Sequence, residues 1–183
     1  MKEIYDYVYK NVPGYDPRYQ HKFDVVDKQF IDRDKNIKII DIGCGKGHYI
    51  RNLLNQQFTN IIGIEFSSEC AAEFLTDVPH INVDFLDHST KISDNEYDVG
   101  LCMDVLEHIP YENINQFIKE INRISSESIL GIANHSDMFF GNELHLIQED
   151  STWWYNKLNE YYPTVELLYE TSSNRFFVFK CLK

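Results

Sequence analysis

Residues 38 to 50 read KIIDIGCGKGHYI, with glycine at 43, 45 and 47. Glycines at every second position, between a β-branched run and a helix-like pattern, let backbone N–H groups face an anionic part of a ligand with no Cβ atoms in the way. The spacing rejects two common ligand loops. A dinucleotide fingerprint, GxGxxG, places its third glycine where this chain has His48, and a phosphate-binding loop needs Gly-Lys-Ser/Thr, whereas Lys46 sits inside the glycine run. Glu65 closes the next hydrophobic run, NIIGIE, and a carboxylate there can accept hydrogen bonds from both hydroxyls of a ribose. A second set of residues suits proton transfer. Asp104 and His108, four apart in MDVLEHIP, read as one face of a short helical turn and as a carboxylate-oriented base. The segment 134 to 154, NHSDMFFGNELHLIQEDSTWW, adds His135 and His145 as general-base candidates, with Phe139, Phe140, Trp153 and Trp154 to stack on a flat or sugar face of an acceptor. His135 is favoured because it directly follows a strand. Tyr19 and His21 are candidates for the opposite wall. Plain packing competes at several of these positions: Cys44 suits a small filler of the glycine loop better than a nucleophile, and a Trp and a Phe at helical spacing suit a core.

These residues need a scaffold, and the hydrophobic pattern supplies one. A helix is expected from Asp16 or Pro17 to about Ile31, then a buried strand at 37 to 42 and a helix carrying Tyr49, Ile50, Leu53 and Leu54. Strands at 60 to 65, 81 to 86, 97 to 103 and 128 to 134 alternate with a helix capped by Ser67 or Ser68 and one striped by Ile114, Phe117, Ile118, Ile121 and Ile124. After a helix around STWWYNKLNEYY, the runs TVELLYE and RFFVFKCL are separated only by TSSN, which permits a hairpin but no parallel crossover. The expected fold is α/β: a doubly wound, Rossmann-like, mostly parallel seven-stranded sheet with one antiparallel strand in a C-terminal hairpin and helices on both faces. The chain reads as a single domain, with a helical cap at 1 to 36, a ligand-binding core at 37 to 134, a lid loop and helix at 135 to 161 and the hairpin at 162 to 183.

Composition narrows the partners. At 43% hydrophobic residues the 183-residue chain can bury a core, and no stretch is long and apolar enough to span a membrane. The first residues lack a secretion or transit pattern, so a cytoplasmic location is expected. Cys44, Cys70, Cys102 and Cys181 stand singly, which suggests neither disulfides nor a zinc site, and Asp104 alone makes no carboxylate cluster, so no metal is expected. A net charge of −12 without a basic patch, no D/N/S-PP-Y/F after the fourth strand and no Pro-Cys nucleophile all argue against nucleic acid and for a small-molecule acceptor.

From 38 to 134 the chain resembles the class I S-adenosylmethionine-dependent methyltransferases, in DIGCGKG, in Glu65, in VDF at 83 to 85 and in YDVGLCMDVLEHIP at 97 to 110. The resemblance implies S-adenosyl-L-methionine as cofactor and S-adenosyl-L-homocysteine as product. It assigns the methionine end to Asp41, Gly43, Cys44, Gly45 and Gly47, the ribose to Glu65 with Phe66 beside it, the adenine to Asp84 and Phe85, and the amino group to the backbone at Cys102 and Met103. Transfer to a hydroxyl of a sugar or other metabolite is the expected reaction. The alternatives are a nitrogen or protein side-chain acceptor, or a binding subunit of the same fold that acts through a protein partner.

Overall fold

The structure is a computed structural model that describes residues 2–12, 15 and 20–183; the side chains of residues 20 and 21 lie outside this set. Two compact units are present, 1–92 and 93–183.

In the first unit, α1 (Lys2–Asn11) and α2 (Gln20–Lys28) precede β1 (Lys38–Ile42), α3 (His48–Asn55), β2 (Asn60–Glu65), α4 (Ser68–Phe74), β3 (His80–Asn82) and α5 (Phe85–Ser89). β1 pairs in parallel with β2, Asp41 opposite Gly63, and β2 pairs in parallel with β3. Ile39, Ile40 and Ile42 are fully buried, as a parallel strand covered on both faces requires. Val26 and Phe30 of the α2 segment and Ile50 and Leu53 of α3 are buried with them. The Phe23 and Tyr49 rings stack at 4.5 Å, so α2 lies against α3.

The second unit holds β4 (Tyr97–Met103), a 3-10 turn at Leu106–His108, α6 (Tyr111–Ile124), β5 (Ser125–Ala133), β6 (Met138–Phe139), β7 (Asn142–Glu143), α7 (Ser151–Asn159), β8 (Thr164–Glu170) and β9 (Phe176–Leu182). β4 and β5 are parallel, β9 runs antiparallel to β5, and β8 runs antiparallel to β9. The apolar stripe of α6, from Ile114 to Ile124, is buried throughout. The strands run in the order β3-β2-β1 in the first unit and β4-β5-β9-β8 in the second, seven in all, mostly parallel, with a single reversed strand, β9, next to β5.

Three local differences from the sequence reading matter for the site. α1 is an additional helix, and the start expected at Asp16 or Pro17 lies outside the described residues. The third strand stops at Asn82, because the Asp84 side chain accepts from Leu86 N at 2.9 Å and caps α5. Within 134 to 154 lies a short hairpin, β6–β7, turned at Phe140 and Gly141 with φ of 46° and 77°.

Candidate active site

Gly43, Gly45 and Gly47 adopt φ of 69°, 50° and 71°, the left-handed region that favours glycine. Their N–H groups are used within the protein, contrary to the display expected from sequence. Gly43 N and Cys44 N donate to Ile64 O at 2.8 and 3.0 Å, Gly47 N donates to Cys44 O, and Gly45 N donates to Glu65 Oε2 at 2.9 Å. These bonds fasten the loop to the end of β2, and the space that a Cβ on Gly47 would need is taken by Leu75 at 2.8 Å and Val78 at 3.2 Å, so that glycine serves close packing. Cys44 is buried, and its Sγ fills the space beside Gly63, where an added Cβ would stand 2.5 Å from it. Burial raises the thiol's pKa well above its ordinary value, which agrees with a filler and not a nucleophile.

Two carboxylates lie at the base of this loop. Asp41 is 1% exposed, and its Oδ2 has no hydrogen-bond partner among the described residues. Burial, with Glu65 nearby, pushes the Asp41 carboxyl up to about 7. Glu65 is also buried, and burial raises its pKa against the hydrogen bonds it accepts from Ser67 N at 2.7 Å and Gly45 N. Each Glu65 oxygen keeps a second lone pair for a ligand hydroxyl.

α1 covers this end of β2. Its Asp6 accepts from Ser67 Oγ at 2.7 Å and Glu69 N at 3.3 Å, the Tyr5 ring lies 5.4 Å from that of Phe66, and the Tyr9 hydroxyl is 3.2 Å from where a Cβ on Gly45 would stand. Burial, the first cause, opposes ionisation of Asp6, yet hydrogen bonds from Lys2, Ser67 and Glu69 N hold it down to about 2. Sequence reading missed Asp6 and Tyr9, since two buried apolar residues, Tyr5 and Val8, make only a faint helical stripe. Phe85 is buried, Asp84 spends one oxygen on its cap, and Cys102 and Met103 are buried in β4.

The histidines meet in the second unit. His145 lies between the other two, with ring centroids 4.6 Å from His108 and 4.7 Å from His135. His108 Nδ1 pairs with Leu144 O at 2.9 Å, His145 Nδ1 with His135 O at 2.6 Å and His135 Nδ1 with Ser136 O at 3.0 Å. A carbonyl can only accept, so each Nδ1 donates and each neutral ring carries its lone pair on Nε2. Burial, then His145, lowers His108 to about 3, and burial also lowers His145. His135 is half-buried and more accessible than His145, which is 5% exposed.

The helical turn expected to carry Asp104 and His108 on one face is corrected. The 3-10 turn starts only at Leu106, Asp104 precedes it at φ 55° with its N bonded to Gly131 O, and the partner of His108 Nδ1 is the Leu144 carbonyl. Glu107, not singled out from the sequence, is fully buried and accepts from Ala133 N at 2.9 Å. Glu107, His108 and His145 each place a ligand-capable atom within 4.8 Å of the others, a cluster that the expectation of no metal did not foresee. Glu143 ties the loop together by accepting from Ser136 Oγ, Asp137 N and His145 N at 2.6 to 3.0 Å.

Of the four aromatic residues expected to face an acceptor, Trp154 is fully buried, its Nε1 without an acceptor among the described residues, and it belongs to the core. Phe140 is 76% exposed at the hairpin tip with Phe139 against it at 4.6 Å, while Trp153 is half-buried beside Tyr111. Tyr19 and the His21 side chain lie outside the described residues.

Residues 15–163 match the methyltransferase domain family. Among curated proteins, the chain is 31% identical over 103 residues to a ubiquinone biosynthesis O-methyltransferase of Rickettsia bellii, an alignment covering 54% of this chain and 42% of the relative, so the chain spans less than half of that protein. Among solved structures, it resembles a SAM dependent methyltransferase from Archaeoglobus fulgidus with a TM-score of 0.71 at 13% identity, covering 90% of this chain and 95% of the other. It also resembles magnesium protoporphyrin IX methyltransferase of Synechocystis with bound SAM, with a TM-score of 0.70 at 17% identity, covering 100% and 96%. With the family match over most of its length, and with a glycine loop, an acidic β2 end and a reversed β9 in the family's order, the chain belongs to the class I S-adenosylmethionine-dependent methyltransferases.

Proposed function

We propose that this chain transfers a methyl group from S-adenosylmethionine to a hydroxyl of a small-molecule acceptor. The observation that carries the cofactor half is Asp41, a buried carboxylate with an oxygen that finds no donor among the described residues, at the base of the glycine loop. A cationic ligand supplies what that oxygen lacks. Glu65 offers lone pairs for ribose hydroxyls, and Tyr9 of α1 closes over the loop at that end. When bound, the cofactor supplies a methyl already activated on its sulfonium. The protein's part is then mostly to hold the acceptor in line and take a proton from it.

A hydroxyl acceptor is supported by the histidine group at the carboxyl ends of β4 and β5, where open α/β sheets receive ligands. Among these histidines His135 combines an Nε2 lone pair with access, and we assign it the proton. Phe139 and Phe140 on the hairpin are assigned to the acceptor's apolar face. Because one curated relative is named a ubiquinone biosynthesis O-methyltransferase, we add hydroxylated aromatic compounds to sugars and other hydroxylated metabolites as acceptors to try. The test is methyl-label transfer from labelled S-adenosylmethionine across such a panel, beside calorimetry of cofactor binding. Label on an oxygen with one-to-one cofactor binding is expected. Cofactor binding with label only on nitrogen or protein overturns the hydroxyl assignment, and absence of cofactor binding overturns the whole reading.

A further inference from the structure

The cluster of Glu107, His108 and His145 is more ordered than proton transfer requires. Both histidines donate from Nδ1 to a backbone carbonyl, Leu144 O at 2.9 Å and His135 O at 2.6 Å. That arrangement fixes the ring and puts the lone pair on Nε2, the orientation that metal-ligating histidines receive from their outer partners. Glu107 is oriented in the same manner, its Oε1 held by Ala133 N at 2.9 Å. One ligand-capable atom from each residue lies within 4.8 Å of the other two. Around a tetrahedral zinc ion, ligand atoms about 2.0 to 2.2 Å from the metal stand roughly 3.4 Å apart, so closing the cluster needs a shift of about 1 Å per atom.

We propose that Glu107, His108 and His145 form a binding site for a divalent transition-metal ion of the zinc type. Two imidazoles and one carboxylate select such an ion over magnesium and calcium, which take oxygen ligands. Three protein ligands leave a fourth position, as in catalytic and not closed structural sites, and an oxygen bound there gives up its proton more readily. His135, its ring 4.7 Å from that of His145, lies outside the ligand set and keeps its role as proton acceptor. The loop from His135 to Ile147 is already fastened to the turn, by His108 to Leu144 O and by Ile147 N to Glu107 O at 3.0 Å, so the ion adds a further tie between the same two segments. All three ligands lie within the unit 93–183, and the site does not depend on the acceptor's identity.

The test uses the full chain, stripped by chelator and dialysed, and titrated with zinc chloride in a calorimeter. A parallel titration with cobalt chloride is followed by visible absorption. Expected are one equivalent bound with Kd below about 1 µM, visible bands of low-coordinate cobalt, and long-range proton–nitrogen spectra in which Nε2 of His108 and His145 shifts while Nδ1 stays protonated. His145→Gln and Glu107→Gln should each weaken zinc binding at least about 10-fold. If a variant does not fold, the nitrogen spectra of the unaltered chain still decide. Zinc binding weaker than about 100 µM, shifts confined to other histidines, or unchanged affinity in folded His145→Gln overturns the proposal. The readout is metal binding and not turnover, so its failure leaves the methyl-transfer reading standing.

Discussion

Glu65 Oε2 accepts the Gly45 N–H at 2.9 Å, so the acid at the end of β2 also sets the glycine loop. One side chain thus shapes the loop, and the proposed function gives it the ribose as well. Glu65→Ala should weaken S-adenosylmethionine binding by about 1.5 to 3 kcal/mol, roughly 10- to 150-fold, the range for hydrogen bonds to a charged group. Glu65→Gln keeps the volume and one acceptor oxygen, and a smaller loss is expected. Calorimetry with both variants checks the ranking; equal affinity of Glu65→Ala and the unaltered chain would remove Glu65 from the cofactor site.

Asp41 gives a pH signature. Burial, with Glu65 second, lifts its carboxyl to about 7, whereas an unfolded Asp ionises near 3.9. Because the folded value is raised, its contribution to stability is fully present below about pH 4 and is lost as pH rises through about 7. A cationic ligand favours the carboxylate, so binding near pH 6.5 should release a proton and affinity should climb toward pH 8. Calorimetry in buffers of different ionisation enthalpy counts that proton. Asp41→Asn should abolish the release and weaken binding; a release that persists in Asp41→Asn assigns the titration elsewhere.

Gly45 and Gly141 separate backbone strain from contact. Both have positive φ, 50° and 77°, but a Cβ on Gly45 meets the Tyr9 hydroxyl at 3.2 Å while one on Gly141 meets nothing within 4 Å. Gly141→Ala should therefore cost only the left-handed strain, about 1 to 2 kcal/mol. Gly45→Ala should cost more, and adding Tyr9→Phe should recover the difference. Thermal or denaturant unfolding reads this directly, and no recovery in the double variant would place Tyr9 away from the loop.

The parts legible in the sequence were those with strong periodicity. β1 and α6 carry unbroken or striped apolar residues, and TSSN forces the hairpin that puts β9 antiparallel to β5. α1 escaped because polar contacts from Lys2, Asp6 and Lys10 to Ser68, Ser67 and Glu69 hold it down, and contacts between distant residues leave no local pattern. Asp84 did carry a signal: an N-cap Asp followed three residues later by Asp87 marks a helix start, but the apolar run INVDFL outweighed it. The α-helical turn expected from Asp104 to His108 is absent because Asp104 takes a left-handed φ, which no local pattern announced. Glu107 and His145 meet only through tertiary structure, so spacing could not announce the cluster.

Trp154 and Phe140 should respond in opposite ways. Trp154 is fully buried, and Trp154→Ala should cost about 3 to 5 kcal/mol of stability while the folded fraction keeps its turnover. Phe140 is 76% exposed at the hairpin tip, so Phe140→Ala should leave the melting temperature within about 0.5 kcal/mol equivalent and raise KM for the acceptor. An unchanged KM in Phe140→Ala would take the hairpin out of acceptor binding.

His135 and its neighbours decide how the proton leaves. His135 is half-buried with Nδ1 on Ser136 O, which leaves Nε2 as the accepting atom, while His145 is buried and both it and His108 are held by carbonyls of the loop. If His135 takes the acceptor's proton, His135→Ala should lower kcat by roughly 10² to 10⁴ with cofactor affinity nearly intact, since the base acts only in the chemical step. The melting temperature should change little, because the loop is tied down by Glu143 and by the contacts of His108 and His145. A loss of stability with unchanged turnover in the folded fraction would instead make His135 a packing residue. Steady-state kinetics with a hydroxyl acceptor, run beside calorimetry and thermal unfolding on one preparation, separates these outcomes. Full turnover by folded His135→Ala would return the proton to Asp104 or the remaining histidines, or leave a reaction driven by positioning alone.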